Sequence, residues 1–186
     1  ALVNSGIKAV RDFSTTSDIK PQVIIHVAQY KNAEYYINGL VQKGVTDFDI
    51  LGISHYENWA DGYSFTQIET ITRSLKAQYN KKIMVMETAC PWTTNNADGY
   101  GNIIPGTTPF SGFPVTQVGQ LDYMKALTQS VIKGGGSGVM YWEPAWITSS
   151  MKDLWGTGSA WENNALFDFT GKALPGMGYM THAYTF

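Results

Sequence analysis

Two glutamates follow apolar segments that have the composition of buried strands. Glu87 ends the segment 83–87, and Glu143 follows the segment 138–142. Glycoside hydrolysis requires two carboxyl groups beside the scissile bond, about 5–5.5 Å apart when the anomeric configuration is retained. Glu87 and Glu143 are the only pair of carboxylates at the ends of the predicted strands. Their types and positions make glycoside hydrolysis one chemistry that this chain can support.

The residues alone leave a structural role open for both glutamates. Glu87 is equally compatible with catalysis and with a side chain that reaches solvent or pairs with a lysine or arginine. For Glu143 the structural alternative is favoured, because Pro144 and Trp146 follow it closely. That segment would form the wall of a pocket, with Glu143 as its hydrogen-bonded support.

Other chemistries have less support in the sequence. The three histidines lack the spacing of metal ligands, and neither a G-x-S-x-G nor a P-loop pattern occurs. Cys90 is the only cysteine, which excludes an intrachain disulfide and a C-x-x-C site. With 13 Lys and Arg against 15 Asp and Glu, the net charge is -2. Such a balance provides no broad basic surface for nucleic acid.

The elements that would position Glu87 and Glu143 alternate along the chain. Apolar segments at 23–27, 48–54, 83–87 and 138–142 predict strands, and amphipathic segments at 33–43, 65–79 and 117–133 predict helices. Residues 2–10 resemble the end of a helix that stops at Gly6. The alternation predicts an α/β fold with a parallel sheet, whose ligand site lies where the strands end.

Composition supports one folded domain and a carbohydrate ligand. The 186 residues are 44% hydrophobic and include 6 Trp, 11 Tyr and 8 Phe. Flat aromatic rings stack on the apolar faces of sugars, although the same rings also fill cores. No signal peptide is visible, and no apolar segment approaches the ~20 residues that span a bilayer.

Four segments together resemble glycoside hydrolase family 53, the endo-β-1,4-galactanases. They are 49–56 (DILGISHY), 84–92 (MVMETACPW), 138–146 (GVMYWEPAW) and 164–169 (NALFDF). The resemblance covers essentially the whole chain, and its specificity comes from the combination rather than from any one segment. It implies an α/β fold that is the C-terminal half (strands 5–8) of a (β/α)8 TIM barrel, a partial domain over residues 1–186. It also implies retaining hydrolysis of β-1,4-galactan, a pectic side chain, by double displacement.

The resemblance also implies roles for residues at the strand ends. Glu87 takes the position of the nucleophile, and Tyr56 matches a tyrosine that hydrogen-bonds the nucleophile and orients it. Trp142 matches the tryptophan that forms the floor of the sugar site. The substrate-binding candidates are Trp142, Glu143, Trp146, His55 and Trp59. For Trp146 and Trp59, packing under the loops is an equally good interpretation.

The general acid/base of the family, a Glu preceded by Asn, has no counterpart in this sequence. The strand that carries it would precede Ala1, so strands 1–4 are expected to be missing and the fragment alone to be nearly inactive.

An open half-barrel also exposes strand edges and apolar faces. We therefore expect a missing N-terminal half-barrel or self-association to cover them. The alternatives in function are an inactive galactan-binding module, or another β-glycanase such as a mannanase.

No cofactor is required by this chemistry, but the resemblance implies a structural calcium ion. The segment 96–102 resembles a calcium-binding loop of bacterial family members, with Asp98, Asn102 and Asn96 as candidate ligands. A turn built from Asn, Asp and Gly is the alternative interpretation. Because a galactan is too large to cross a membrane, the sequence favours a secreted, periplasmic or cell-surface protein.

Overall fold

The computed structural model describes residues 1–59, 63–152, 154 and 156–186. Its helices are α1 (Leu2–Thr16), α2 (Tyr30–Gln42), α3 (Phe65–Tyr79) and α4 (Gln117–Lys133). Its strands are β1 (Ile24–Val27), β2 (Ile50–Ser54), β3 (Lys82–Glu87) and β4 (Gly138–Val139). Short 3₁₀ helices span Glu162–Asn164 and Pro175–Thr181. No helix of the described residues has both the length and the apolar character needed to cross a membrane.

The strands of the described chain form one parallel sheet in the order β1-β2-β3-β4. On β3, Ile83 and Val85 are fully buried in a core that also contains Ile68 of α3 and Leu127 of α4. The alternate residues of β3 are only partly buried. One face of the sheet is therefore packed against helices, as the βα alternation predicts, and the other face is more open.

The helix ends follow local capping chemistry. At the start of α3 the Ser64 hydroxyl accepts a hydrogen bond from the Gln67 N–H, and Gln67 Oε1 accepts one from the Ser64 N–H. The same helix ends at Asn80, which has a left-handed φ of 51°. After α2, Gly44 has a φ of 77°, which glycine adopts without steric cost. These positions confirm the helix ends predicted at 43–44 and 79–80.

The predicted helix stop at Gly6 is wrong. Helix α1 continues through Gly6 to Thr16 because contacts on both sides hold it in place. Ile7 is buried, and the Arg11 guanidinium donates to the carboxylates of Asp47 and Asp49. Tertiary contacts of this kind outweigh the helix penalty of one glycine, which is about 1 kcal/mol.

Two other predicted boundaries need correction. Helix α2 begins at Tyr30, three residues before the predicted start at 33, and the Tyr30 side chain is buried. Strand β4 comprises only residues 138–139 of the predicted 138–142. Beyond it the chain still follows β3, since the N–H groups of Met140 and Trp142 donate to the carbonyls of Val85 and Thr88. The left-handed φ of 48° at Glu143 then turns the chain away.

Candidate active site

Glu87 reaches the site because β3 contains one extra residue. Strands β2 and β3 pair in register up to Val85, and Ser54 then pairs with Glu87, which leaves out Met86. Side chains alternate along a strand, so this bulge moves Glu87 from the face of Val85 to the face of Ser54. The His55 N–H donates to the Glu87 carbonyl at 2.8 Å and holds the shifted backbone.

A glycine on the neighbouring strand leaves room for the bulge. A Cβ atom at Gly52 would lie 2.5 Å from Met86 Cγ and 2.9 Å from Ile24 Cγ2. Real Cβ contacts are longer than this, so a larger residue at position 52 would displace Met86. Gly52 is therefore part of the packing that fixes the direction of the Glu87 side chain.

Two hydroxyl groups hold one oxygen of the Glu87 carboxylate. Ser54 Oγ donates to Oε2 at 3.1 Å, and Tyr56 Oη donates to the same atom at 3.3 Å. His26 lies behind them on β1, with Nε2 2.8 Å from Ser54 Oγ and Nδ1 3.9 Å from Glu87 Oε1. The arrangement leaves the charged carboxylate partly exposed but well oriented.

Tyr56 is suited to act as a permanent donor. Burial and the neighbouring Glu87 carboxylate raise the pKa of Tyr56 well above its usual value, and the charge of Glu143 adds to this effect. Burial and the two negative charges all disfavour the phenolate. The Tyr56 hydroxyl therefore keeps its proton throughout the ordinary pH range and remains a hydrogen-bond donor to the Glu87 carboxylate.

A pocket of about 270 Å³ lies beside these groups. It is lined by Ala28, Gln29, Ser54, His55, Tyr56, Trp59 and Glu87. Its aromatic side is built by Tyr56 and Trp59, whose ring centres are 5.2 Å apart, and both rings contact the buried Trp161. Trp59 keeps 45% of its surface exposed, so its ring is accessible to a flat apolar ligand surface.

Not every predicted substrate residue lies open to this pocket. His55 lines it but is 3% exposed, with its ring edge-on to Tyr30. Trp142 is exposed, and its carbonyl accepts a hydrogen bond from Trp161 Nε1 at 3.2 Å. Glu143 is exposed beside it. Trp146 is partly buried and packs against the core, so its ring supports the segment that carries Trp142 and Glu143.

A wider surface depression of about 490 Å³ lies along α2. It is lined by Tyr35, Tyr36 and neighbouring residues of the same helix, and it contains no carboxylate. Unlike this depression, the smaller pocket beside Glu87 combines a carboxylate with hydroxyl donors and a concave surface, as a catalytic site requires.

Asp98 and Glu162 join the loops that follow β3 and β4. The Asp98 carboxylate accepts hydrogen bonds from Thr148 Oγ1 at 2.5 Å and from the N–H groups of Ser159 and Tyr100. Burial alone would raise the pKa of Asp98, but these donors hold that pKa below its ordinary value. Thr148 Oγ1 also contacts the fully buried Glu162 carboxylate.

This loop junction fits a hard cation. The Thr148 hydroxyl carries one proton, which satisfies only one of the two carboxylates that it touches. Asn102 Oδ1 is buried without a hydrogen-bond partner among the described residues, and the Asn96 amide contacts the Tyr100 carbonyl. No cluster of three or more His, Cys, Asp or Glu ligands occurs in the described ranges. A site here would therefore combine two carboxylates with amide and carbonyl oxygens, a donor set suited to Ca²⁺.

Four residues of the site were not predicted from the sequence as site residues. His26 reaches it from a strand that is distant in the chain, and Ser54 was noted only as part of a strand end. Glu162 and Trp161 stand in the segment 160–166, where an acid and two asparagines lie between apolar residues. A buried acid of that kind is a signal that sequence analysis can use for Glu162. His26 has no such signal, because its role depends on strand register.

The chain is similar to known proteins in its sequence and in its fold. The sequence model described as glycosyl hydrolase family 53 matches residues 1–180. The chain belongs to glycosyl hydrolase family 53. It is 43% identical to an arabinogalactan endo-beta-1,4-galactanase of Cellvibrio japonicus over 94% of this chain and 46% of that protein. It is 30% identical to an endo-beta-1,4-galactanase of Bacillus subtilis over 98% of this chain and 49% of that protein.

A solved structure of the same family superposes on the described fold. The GH53 catalytic domain of Ignisphaera aggregans matches with a TM-score of 0.84 and 32% identity, covering 98% of this chain and 51% of that chain. The family 53 chain thus spans about half the length of the relatives it matches. Its four parallel strands and their helices correspond to half of a (β/α)8 barrel, as the resemblance implied.

Proposed function

We propose that this chain provides the nucleophile side of the active site of a retaining endo-β-1,4-galactanase. The observation that carries the proposal is the Glu87 carboxylate at a strand end, with the Ser54 and Tyr56 hydroxyls donating to its Oε2 atom. The substrate is inferred from the family and from two relatives that are named endo-β-1,4-galactanases. The general acid/base is assigned to a part of the barrel outside this chain.

The proposed first step is attack by Glu87 on the anomeric carbon of a galactosyl unit. Oε1 forms the new ester bond while the bond to the glycosidic oxygen breaks and that oxygen receives a proton from the acid/base. Oε2 keeps its two hydroxyl donors, which stabilise the carboxylate before attack. In the second step, water deprotonated by the acid/base hydrolyses the ester and restores the original anomeric configuration.

Exposed aromatic rings beside Glu87 support a sugar substrate. Trp59 and Trp142 are 45% and 41% exposed, unlike the buried Trp161 that lies beneath Trp59. We propose that both rings stack on the C–H faces of galactosyl units in neighbouring subsites. Glu143 and His55 would provide polar contacts to the sugar hydroxyls. A polymer of this size acts outside the membrane, so the proposal includes a secreted, periplasmic or cell-surface location.

The remaining half of the barrel is proposed as the partner of the open sheet. Strands β1 and β4 stand at the two edges of the described sheet. On and after α1, Leu2, Phe13 and Ile19 are 89%, 49% and 68% exposed. The two sheet edges call for a covering surface, either the preceding half-barrel of the same protein or a second copy of this chain, and these apolar side chains add to the surface that it would cover.

Covalent labelling tests the nucleophile. The protein that carries this chain is incubated with a 2,4-dinitrophenyl 2-deoxy-2-fluoro-β-galactoside, after an intact mass has established how much of the barrel is present. We expect the Glu87 carboxylate to form an ester with the anomeric carbon as dinitrophenolate leaves with the bonding electrons. Peptide mass spectrometry should place the adduct on the peptide that contains Glu87. An adduct on another carboxylate, or none in a complete barrel, would refute the assignment.

Substrate comparison tests the second part of the proposal. Release of reducing ends from β-1,4-galactan is compared with release from mannan and xylan under the same conditions. Cleavage of galactan alone, with the product anomer first formed in the β configuration, is the expected result. Preferential cleavage of mannan would favour the alternative of another β-glycanase.

A calcium ion at the loop junction is proposed to stabilise the loops that follow β3 and β4. Asp98, Asn96 and Asn102 would hold it together with Glu162, and its charge would neutralise the two carboxylates that share the Thr148 hydroxyl. Binding of a ligand at about 100 times its Kd stabilises a fold by about 2.7 kcal/mol. For a chain of this size we therefore expect a chelator to lower Tm by about 5–10 °C and Ca²⁺ to restore it.

The control for this experiment is the Asp98→Asn variant. Its Tm should respond much less to the chelator, because the site loses one negative ligand. Mg²⁺ should restore less stability than Ca²⁺, since the smaller ion tolerates an irregular oxygen set poorly. Equal Tm values with chelator and with Ca²⁺ would refute the proposal. Direct hydrogen bonds alone would then hold the two loops together.

A further inference from the structure

His26 is the group behind the candidate nucleophile that the proposed mechanism has not used. It lies on β1 opposite Gly52 of β2, so its side chain shares a face with Ser54, two residues further along. Its Nε2 atom is 2.8 Å from Ser54 Oγ, which in turn is 3.1 Å from Glu87 Oε2. The three side chains thus form a chain of contacts across β1, β2 and β3.

The hydrogen bonds between His26, Ser54 and Glu87 have a defined donor and acceptor at each step. A serine hydroxyl has a single proton, and Ser54 donates it to Glu87 Oε2, because an ionised carboxylate only accepts. Ser54 Oγ can therefore only accept from His26, which requires a proton on Nε2. The other ring nitrogen is 3.9 Å from Glu87 Oε1, too far for a hydrogen bond. His26 consequently binds Ser54 without competing for the second carboxylate oxygen.

We propose that His26 is a positioning residue for the nucleophile, acting through Ser54. By donating to Ser54 Oγ it turns the hydroxyl proton toward Glu87 Oε2 and keeps it there. Oε2 is then held by two donors, Ser54 and Tyr56, and Oε1 accepts no hydrogen bond from the described residues. The inference deepens the proposed function and rests on it, because it identifies Oε1 as the attacking oxygen.

The surroundings of His26 distinguish this role from a packing role. The imidazole is 36% exposed and does not belong to the hydrophobic core. The residue of β1 that is buried in this core is Val27. Its removal should therefore cost little stability. The group that it contacts, Ser54, is in contrast 8% exposed and lies directly against the carboxylate. An effect of His26 on reactivity would then come from orientation rather than from folding.

A double-mutant cycle tests the inference with the 2-fluoro galactoside described above. The variants are His26→Ala, Ser54→Ala and the double variant, prepared in the protein whose intact mass is known. Saturation kinetics separate the inactivation rate constant from the inhibitor affinity. We expect each single variant to lower the rate constant by about 10- to 100-fold with little change in affinity. The double variant should lose no more than Ser54→Ala alone, because His26 acts only through Ser54.

Two further variants complete the test. His26→Gln should recover much of the rate, since its amide nitrogen can donate to Ser54 Oγ from a position close to that of Nε2. His182→Ala removes a histidine from the C-terminal segment and should label at the wild-type rate. The Tm of every variant should stay within about 2 °C of wild type.

The outcomes separate this inference from the function on which it rests. A wild-type protein that is not labelled at Glu87 overturns the proposed nucleophile and the inference together. Labelling of the wild type with an unchanged rate in His26→Ala overturns the role of His26 alone. Additive losses in the double variant also overturn it, since they would mean that His26 acts independently of Ser54.

Discussion

Replacing Glu87 by glutamine is expected to abolish hydrolysis of β-1,4-galactan, with a loss of at least about 10⁴-fold in kcat. The amide is nearly isosteric with the carboxylate but cannot form the ester intermediate. The amide oxygen of the glutamine can take the place of Glu87 Oε2 and accept hydrogen bonds from Ser54 and Tyr56, so the pocket should keep its shape. The measurement is the rate of reducing-end release by the wild-type and Glu87→Gln forms of the protein that carries the complete barrel, with galactan binding measured in parallel.

Glu69→Gln is the matched control for this change. Glu69 lies on α3, where it pairs with Arg73 at the protein surface. The same replacement there should leave turnover unchanged within about twofold, because surface ion pairs contribute only about 0–1 kcal/mol. Activity retained by Glu87→Gln would exclude a nucleophilic role. Galactan binding without turnover in both the wild type and Glu87→Gln would favour the alternative of an inactive binding module.

Replacing Trp161 by alanine is expected to lower the free energy of unfolding by about 3–5 kcal/mol. The indole is 3% exposed and contacts the rings of Tyr56 and Trp59, with centres 6.0 and 6.5 Å away. Its Nε1 also donates to the Trp142 carbonyl. A fall in Tm of about 6–20 °C follows for a chain of this length, and thermal unfolding measures it.

One further variant at Trp161 and one control at an exposed aromatic ring complete this test. Trp161→Phe keeps part of the aromatic contact but loses the Nε1 donor and the rest of the indole surface, so it should lose less than half as much stability as Trp161→Ala. Tyr35→Ala removes an aromatic ring that is 83% exposed and should change Tm by no more than about 1–2 °C. A Tm of Trp161→Ala equal to that of wild type would mean that this ring does not support the pocket.

The sequence predicted the alternation of strands and helices because apolar periodicity survives wherever one face is buried. It also predicted that Glu87 ends a strand, since a carboxylate closes an otherwise apolar segment. It could not predict the bulge at Met86. Strict alternation would put Glu87 on the same face as Ile83 and Val85, which point into the core. The direction of the Glu87 side chain depends on pairing with β2, which no local pattern contains.

The contacts of the site depend in the same way on residues far apart in the chain. One strand and two helices lie between His26 on β1 and Glu87 on β3, and only the register of the sheet brings Ser54 between the two side chains. Glu162 meets Asp98 because the two loops after β3 and β4 fold against each other. The predicted stop at Gly6 failed for a related reason, since Ile7 and Arg11 anchor α1 through contacts outside the helix.

The position of Cys90 makes it a reporter of how this region opens. The thiol is 3% exposed just beyond β3, and burial raises its pKa far above that of a free cysteine. Because alkylating reagents attack the thiolate, the folded state protects this side chain twice, by access and by charge. Cys90 is the only cysteine of the sequence. Its rate of modification therefore measures how often the core near the proposed nucleophile opens by local unfolding, without any engineered label.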